Sequence, residues 1–266
     1  MGQNTVATLI DIGARLTDKV FENNVKQVIA RASAVGVGTI IVNGINDVLS
    51  LAAVDLAVRN PKLYATVGIG PTHAAQCYGR WAKTLERLIH IKKVVAIGEC
   101  GLDYTDTYFS PLDVQEKCLE AQLEYAADCG FPVVLFQQEA HEIFLEIMTR
   151  YRPRLKAVVL HRFSGDQEEL AAYLDLDMHI GLNGLICNRK GRHLRKIIHL
   201  IPDDRLMIET TAPDELPKSM KLRPASKVSE PLCLPHICTF IAKCRGVTPQ
   251  FLALATTLNA KNFFKI

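Results

Sequence analysis

The chain contains no Cys-x-x-Cys pair, no apolar run approaching the length of a membrane span and no block of like charge. Each absence removes a class of protein. With no framework spacing among them, the 8 cysteines read as reduced, mostly buried thiols of a cytosolic protein rather than as a disulfide scaffold. Without about 20 consecutive apolar residues, no transmembrane helix is expected. Met1-Gly2 opens like an acylation signal, but Val6 stands where that signal needs Ser or Thr, so the chain reads as soluble and unanchored. A net charge of +3 neither demands nor opposes a nucleic-acid partner. Nothing resembling a linker or a low-complexity tract divides the 266 residues. One domain spanning residues 1–266 is therefore expected, a length that single α/β barrels commonly reach.

What is present is an alternation of apolar strand-like runs with amphipathic helical stretches, the pattern of parallel β/α units. Strands are expected near residues 8–12, 39–43, 63–69, 94–97, 133–136, 157–161, 178–182 and 206–210. Ser110, Pro111 and Asp113 read as the N-cap, first position and first turn of a helix that Gly130 stops. Asp166 with Glu169 reads as a capping box, and residues 192–200 as a short basic helix. Helices at 235–244 and 251–264, the latter capped by Thr248-Pro249, finish the chain. Eight units in this length point to an α/β fold, a TIM-like (β/α)8 barrel with extra C-terminal helices; an open doubly wound sheet is the alternative.

The stretch VVAIGECGLDY at residues 94–104 places Glu99 at the end of a buried strand, between Gly98 and Gly101. In a barrel, chemistry sits at the C-terminal strand ends. An isolated Glu there equally serves to hold a neighbouring loop, so the other strand ends decide. They carry Asp11, Gly13 and Arg15, Asn43, His73, Asp103, Phe136 with Gln137 and Gln138, His161 with Arg162, Asn183, and Glu209 with Thr210 and Thr211. A hydrolytic metal needs about three or four anionic or imidazole ligands. Glu99 and His161 are plainly placed for this, with Asp11 and His73 as helpers. No Ser-His-Asp or Cys-His arrangement stands out, and strand alternation turns Cys100 toward the surrounding helices.

LIDIG with Asp11, VVAIGECGLDY with Glu99, AVVLHRFSG with His161, YLDLDMHIGLNG, LIPDDRLMIETTAP, and Glu230-Pro231 followed by Leu234-Pro235 together resemble the TatD family of metal-dependent deoxyribonucleases. The resemblance covers nearly the whole chain. It implies a barrel of the amidohydrolase-like group and phosphodiester hydrolysis with divalent Mg, Mn or Zn at the mouth. It also exposes departures. The first-strand His-x-His of much of the family is Gly13-x-Arg15, a pair also missing from the branch this chain most resembles. The family's His-Pro is Gly70-Pro71, with His73 displaced nearby. The metal-binding His after strand five is Phe136, followed by Gln137 and Gln138, the eighth-strand Asp is Thr211, and the usual Arg-Asn before Glu230 is Val228-Ser229.

Phe136 cannot ligate an ion, and the neutral hydroxyl of Thr211 neither balances a divalent charge nor acts as a base at ordinary pH. Asp214, beyond Pro213, is poorly placed to replace the lost acid. The resulting reading is a TatD-like hydrolase homologue whose DNase site is depleted, a catalytically impaired or repurposed pseudoenzyme that binds metal weakly or not at all. The alternative is an active phosphodiesterase with a reduced site, in which Glu99 and His161 hold one ion and Glu209 positions water. DNA or a phosphorylated small molecule is the expected partner. Arg189, Lys190, Arg192, Arg195 and Lys196, with Lys218, Lys221, Arg223 and Lys227, would bind phosphate on the loop side or simply be solvated. Because a metal would sit only on the rim, Glu99→Gln or His161→Ala is expected to alter stability by about 1 kcal/mol.

Overall fold

The computed structural model describes residues 8–77, 81–108 and 110–266; Gly2 and Val6, on which the acylation reading turns, lie outside them. Eight parallel strands form one sheet in sequence order: β1 (Leu9–Ala14), β2 (Val37–Asn43), β3 (Leu63–Val67), β4 (Val94–Asp103), β5 (Val133–Gln138), β6 (Val158–Leu160), β7 (His179–Leu182) and β8 (Leu206–Ile208). Between them lie α1 (Val25–Ala34), α2 (Asp47–Val58), α3 (Trp81–Leu88), α4 (Leu112–Cys129), α5 (His141–Tyr151), α6 (Gln167–Asp175) and the single turn α7 (Leu194–Ile197). After β8 come α8 (Leu234–Arg245) and α9 (Pro249–Phe264). Among the described residues, no helix is long and apolar enough to cross a membrane.

The sheet closes, which selects the TIM-like (β/α)8 barrel over the open alternative. β1 meets the segment after β8 through a bridge between Ala14 and Ala212. Arg15 N donates to Ala212 O at 2.7 Å and Thr211 N to Gly13 O at 2.8 Å. Deeper in the seam a side chain takes over. The buried Asp11 carboxylate accepts from Gly13 N at 3.2 Å, Thr210 N at 2.9 Å and Thr210 Oγ1 at 2.5 Å.

The strand period of two separates two apolar layers. Ile10, Ile12, Ile41, Val95, Val134, Val159 and Met207 fill the barrel, where Phe263 and Phe264 of α9 join them. α9 lies across the N-terminal strand ends because Thr257 Oγ1 donates to Thr8 O and Asn259 Nδ2 to Leu206 O. The alternate strand residues face the helices, and Cys100 is among them, buried in that larger cluster. All 8 cysteines are free.

Three local expectations are corrected. Ser110 is not the N-cap of α4: Pro111 is, and the buried Ser110 hydroxyl accepts from Ala75 N instead. The capping box at α6 is half made. Asp166 accepts from Glu168 N and Glu169 N, but the Glu169 carboxylate turns to Gln137 Nε2 at 2.9 Å. The basic helix expected over 192–200 breaks into a 3-10 turn (Lys190–Arg192), α7 and a second 3-10 turn (Ile198–Leu200).

The seam yields a test. Asp11→Ala leaves two buried N–H groups, on Gly13 and Thr210, without partners, at about 1–3 kcal/mol each. Denaturant unfolding should show a loss of roughly 2–4 kcal/mol. A change below about 1 kcal/mol would mean that Asp11 does not hold the barrel shut.

Candidate functional site

Strands β4, β6 and β8 deliver Glu99, His161 and Glu209 to one point at the C-terminal mouth. Glycines make the room. A Cβ on Gly13 would lie 2.1 Å from Glu209 Oε2, and one on Gly181 3.1 Å from Glu209 Oε1. Fully buried Glu209 reaches His161 Nδ1 at 3.0 Å through Oε2 and accepts from Arg162 N at 2.5 Å through Oε1. On the other side of the ring, Glu99 Oε2 stands 2.8 Å from His161 Nε2. This contact lies off the N–H axis, an ion pair rather than a directed hydrogen bond.

The imidazole is thus held between two buried carboxylates. Burial opposes its charge, but Glu209 and then Glu99 outweigh that and push its pKa up to about 9. Burial alone would raise Glu99; the charge of His161 beside it, then Arg162 and Arg15, bring it down to about 2. At neutral pH His161 is therefore an imidazolium beside an ionised Glu99. Arg15, Asn43, Arg162, Thr211 and Asp214 complete a pit of about 10 Å3 around it, room for roughly one water.

The remaining candidates fall around this trio in different ways. The Phe136 ring stands edge-on to His161, centroids 6.1 Å apart, and the Arg162 guanidinium lies 4.6 Å over its face. Thr211 Oγ1 donates to Thr210 O at 2.8 Å and accepts from Asn183 Nδ2 at 3.2 Å. Asp214 is paired with Arg15 at 2.6 Å. The Asp11 carboxylate is engaged in the seam, where burial holds its pKa up to about 7 against its hydrogen bonds from Thr210 and Gly13. His73 does not border the pit; it sits in the 3-10 turn Pro71–Gln76 with Nδ1 3.1 Å from Thr72 Oγ1. Gln137 braces Glu169 and accepts from Ala140 N, ahead of α5. Of the basic residues, Arg195 donates to Ile186 O and Asn188 O and lies over Phe240, while Arg189, Lys190, Arg192, Lys196, Lys218, Lys221 and Lys227 are exposed.

A divalent ion needs converging carboxylate or neutral imidazole donors. Among the described residues no group of three or more His, Cys, Asp or Glu side chains is placed to hold an ion, while the buried His161 Nε2 has no directed hydrogen-bond partner.

Sequence reasoning missed the supports behind the mouth. Buried Gln122 of α4 accepts from Ile69 N and donates to Ile69 O, fixing the chain after β3. Gln115 does the same for the loop after β4, through Asp103 N and Ser110 O. Their signal was two amides seven apart on the face that carries Cys118 and Leu119. Glu230, fully buried, takes Arg31 of α1 at 2.8 Å and Ser226 Oγ at 2.7 Å.

The trio points to a larger stability cost for its removal. His161→Ala leaves two buried carboxylates facing each other, and breaking a buried pair costs roughly 3–5 kcal/mol rather than about 1. The thermal midpoint should fall by on the order of 10 °C; a fall of only a degree or two would deny the ion-pair assignment. The pH dependence has a definite sign. The folded state binds the His161 proton more tightly than the unfolded chain, whose ordinary value is 6.5. Its stabilisation is therefore complete below pH 6.5 and is lost as the pH rises through about 9. Thermal melts across that window should decline for the natural chain and lose that component in His161→Gln.

Comparison with known proteins bears on this geometry. The TatD-related DNase family matches residues 10–265. The 3'-5' ssDNA/RNA exonuclease TatD of Erwinia tasmaniensis is 42% identical over 260 residues, covering 97% of this chain and all of that protein. That of Pantoea ananatis is 40% identical over 258 residues, with 96% and 99% covered. Among solved structures, the TatD homologue YjjV of Escherichia coli K12 superposes with a TM-score of 0.89 at 25% identity, over 98% of this chain and 99% of its own. With a family match over nearly its full length and close relatives of equal extent, the chain belongs to the TatD-related DNase family.

Proposed function

We propose that this chain is a TatD-family hydrolase homologue whose metal-dependent DNase centre is depleted, a catalytically impaired or repurposed barrel acting as one domain over residues 1–266 in the cytosol. One observation carries the reading: His161 lies between two buried carboxylates, Glu209 3.0 Å from Nδ1 and Glu99 2.8 Å from Nε2. Phe136 and Thr211 support it, since the resemblance puts a His and an Asp at those positions and neither replacement donates to an ion. Glu99 and His161 are then vestigial ligands and Glu209 the group that orients His161.

The relatives named as ssDNA/RNA exonucleases point to single-stranded nucleic acid as the polymer this mouth would receive. The retained Glu99 and His161, together with 42% identity to such an exonuclease, favour the rival: an active nuclease in which a divalent ion displaces the His161 proton.

One experiment separates them. Single-stranded DNA is incubated with the natural chain, with Phe136→His, with Thr211→Asp and with the double variant, each with added magnesium, manganese or zinc. The natural chain should be nearly inert and bind these ions weakly by calorimetry. The double variant should gain metal-dependent cleavage, with little from either single change, because ligands of one ion act together. Cleavage by the natural chain that Glu99→Ala abolishes would establish the reduced-site enzyme instead.

A further inference from the structure

The N-terminal face of the barrel, opposite the mouth, carries a groove that the proposed function leaves unused. Its volume is about 350 Å3, within the usual range for small-ligand sites. The half-buried rings of Tyr64 and Phe131 and the Phe264 end of α9 line it, together with the first residues of β4. Around them stand Lys92, Lys156 and Lys265, all exposed; no carboxylate side chain lines the groove, and the one anionic group among its lining residues is the α-carboxylate of Ile266.

The neighbouring Lys93 shows what a lysine serving the fold looks like here. Its ammonium donates to Pro61 O at 2.9 Å and Leu63 O at 2.8 Å and lies 4.3 Å over the Tyr64 ring. The other three lysines make no such bonds and enter no ion pair among the described residues. Three ammonium groups against one terminal carboxylate leave an excess of positive charge around an apolar floor, which attracts an anion, while the floor favours an apolar or aromatic body. We propose that this groove binds a small aromatic anion, a planar ring bearing a phosphate or carboxylate. The ring lies against Tyr64 and Phe131, and the anionic group meets Lys92, Lys156 and Lys265.

Calorimetric titration of the full chain tests this, with AMP and salicylate as the two anionic probes and adenosine and inorganic phosphate as their separated halves. At least one anionic probe should bind stoichiometrically and more tightly than either half; AMP alone assigns the phosphate, salicylate alone the carboxylate. Lys92→Glu with Lys156→Glu, both at exposed positions and checked by their thermal midpoint, should weaken binding at least about tenfold. Lys190→Glu with Lys221→Glu, on the mouth side, should leave it unchanged. No binding of either anionic probe at millimolar concentration, binding that survives the first pair of changes, or binding lost with the second pair overturns the proposal.

Discussion

The proton on His161, held between Glu99 and Glu209, is the constraint on which the mouth depends. Two carboxylates with almost no exposed surface would each carry a desolvation penalty of several kcal/mol if left alone. One imidazolium at 2.8 and 3.0 Å meets both. Arg162 adds its backbone N–H to Glu209, and its charge, with that of Arg15, favours ionised Glu99. Since the three members come from β4, β6 and β8, the trio also ties separated strands together at the end where a barrel has no further packing.

Other polar residues at this end of the barrel serve as architecture. Asp11 substitutes for ladder bonds that the short β8 cannot make, and Thr210 answers it with both its backbone N–H and its hydroxyl. Ser229 donates to Thr210 O at 3.2 Å, continuing the same seam. Glu230 anchors α1 to the chain after β8 through Arg31. Phe136 and Thr211 fit that framework. A ring packs beside the imidazolium under Arg162, and a hydroxyl satisfies itself on Thr210 O and Asn183.

The fold was largely legible because its signals are local. The β-branched run 94–97 entered β4, Gly130 ended α4 in a left-handed conformation with φ +65°, and Thr248 capped α9. The failures came where a local polar group had a better distant partner. Ser110 went to Ala75 and Glu169 to Gln137. At the mouth, counting strand ends named Glu99, His161 and Glu209, which the barrel brings together, yet their mutual contacts depend on its closure across the 48 positions from His161 to Glu209. The part Asp11 plays in the seam was hidden for the same reason: nothing in its neighbourhood along the chain announces a partner 199 residues away.

The protonation state of His161 tests the account most directly. Nitrogen-15 NMR of the imidazole ring near neutral pH, with and without added zinc, reads both ring positions at once. The account requires two protonated nitrogens whose shifts do not respond to the metal. A deprotonated Nε2 that moves on zinc addition would contradict it, and would show that the mouth holds an ion after all.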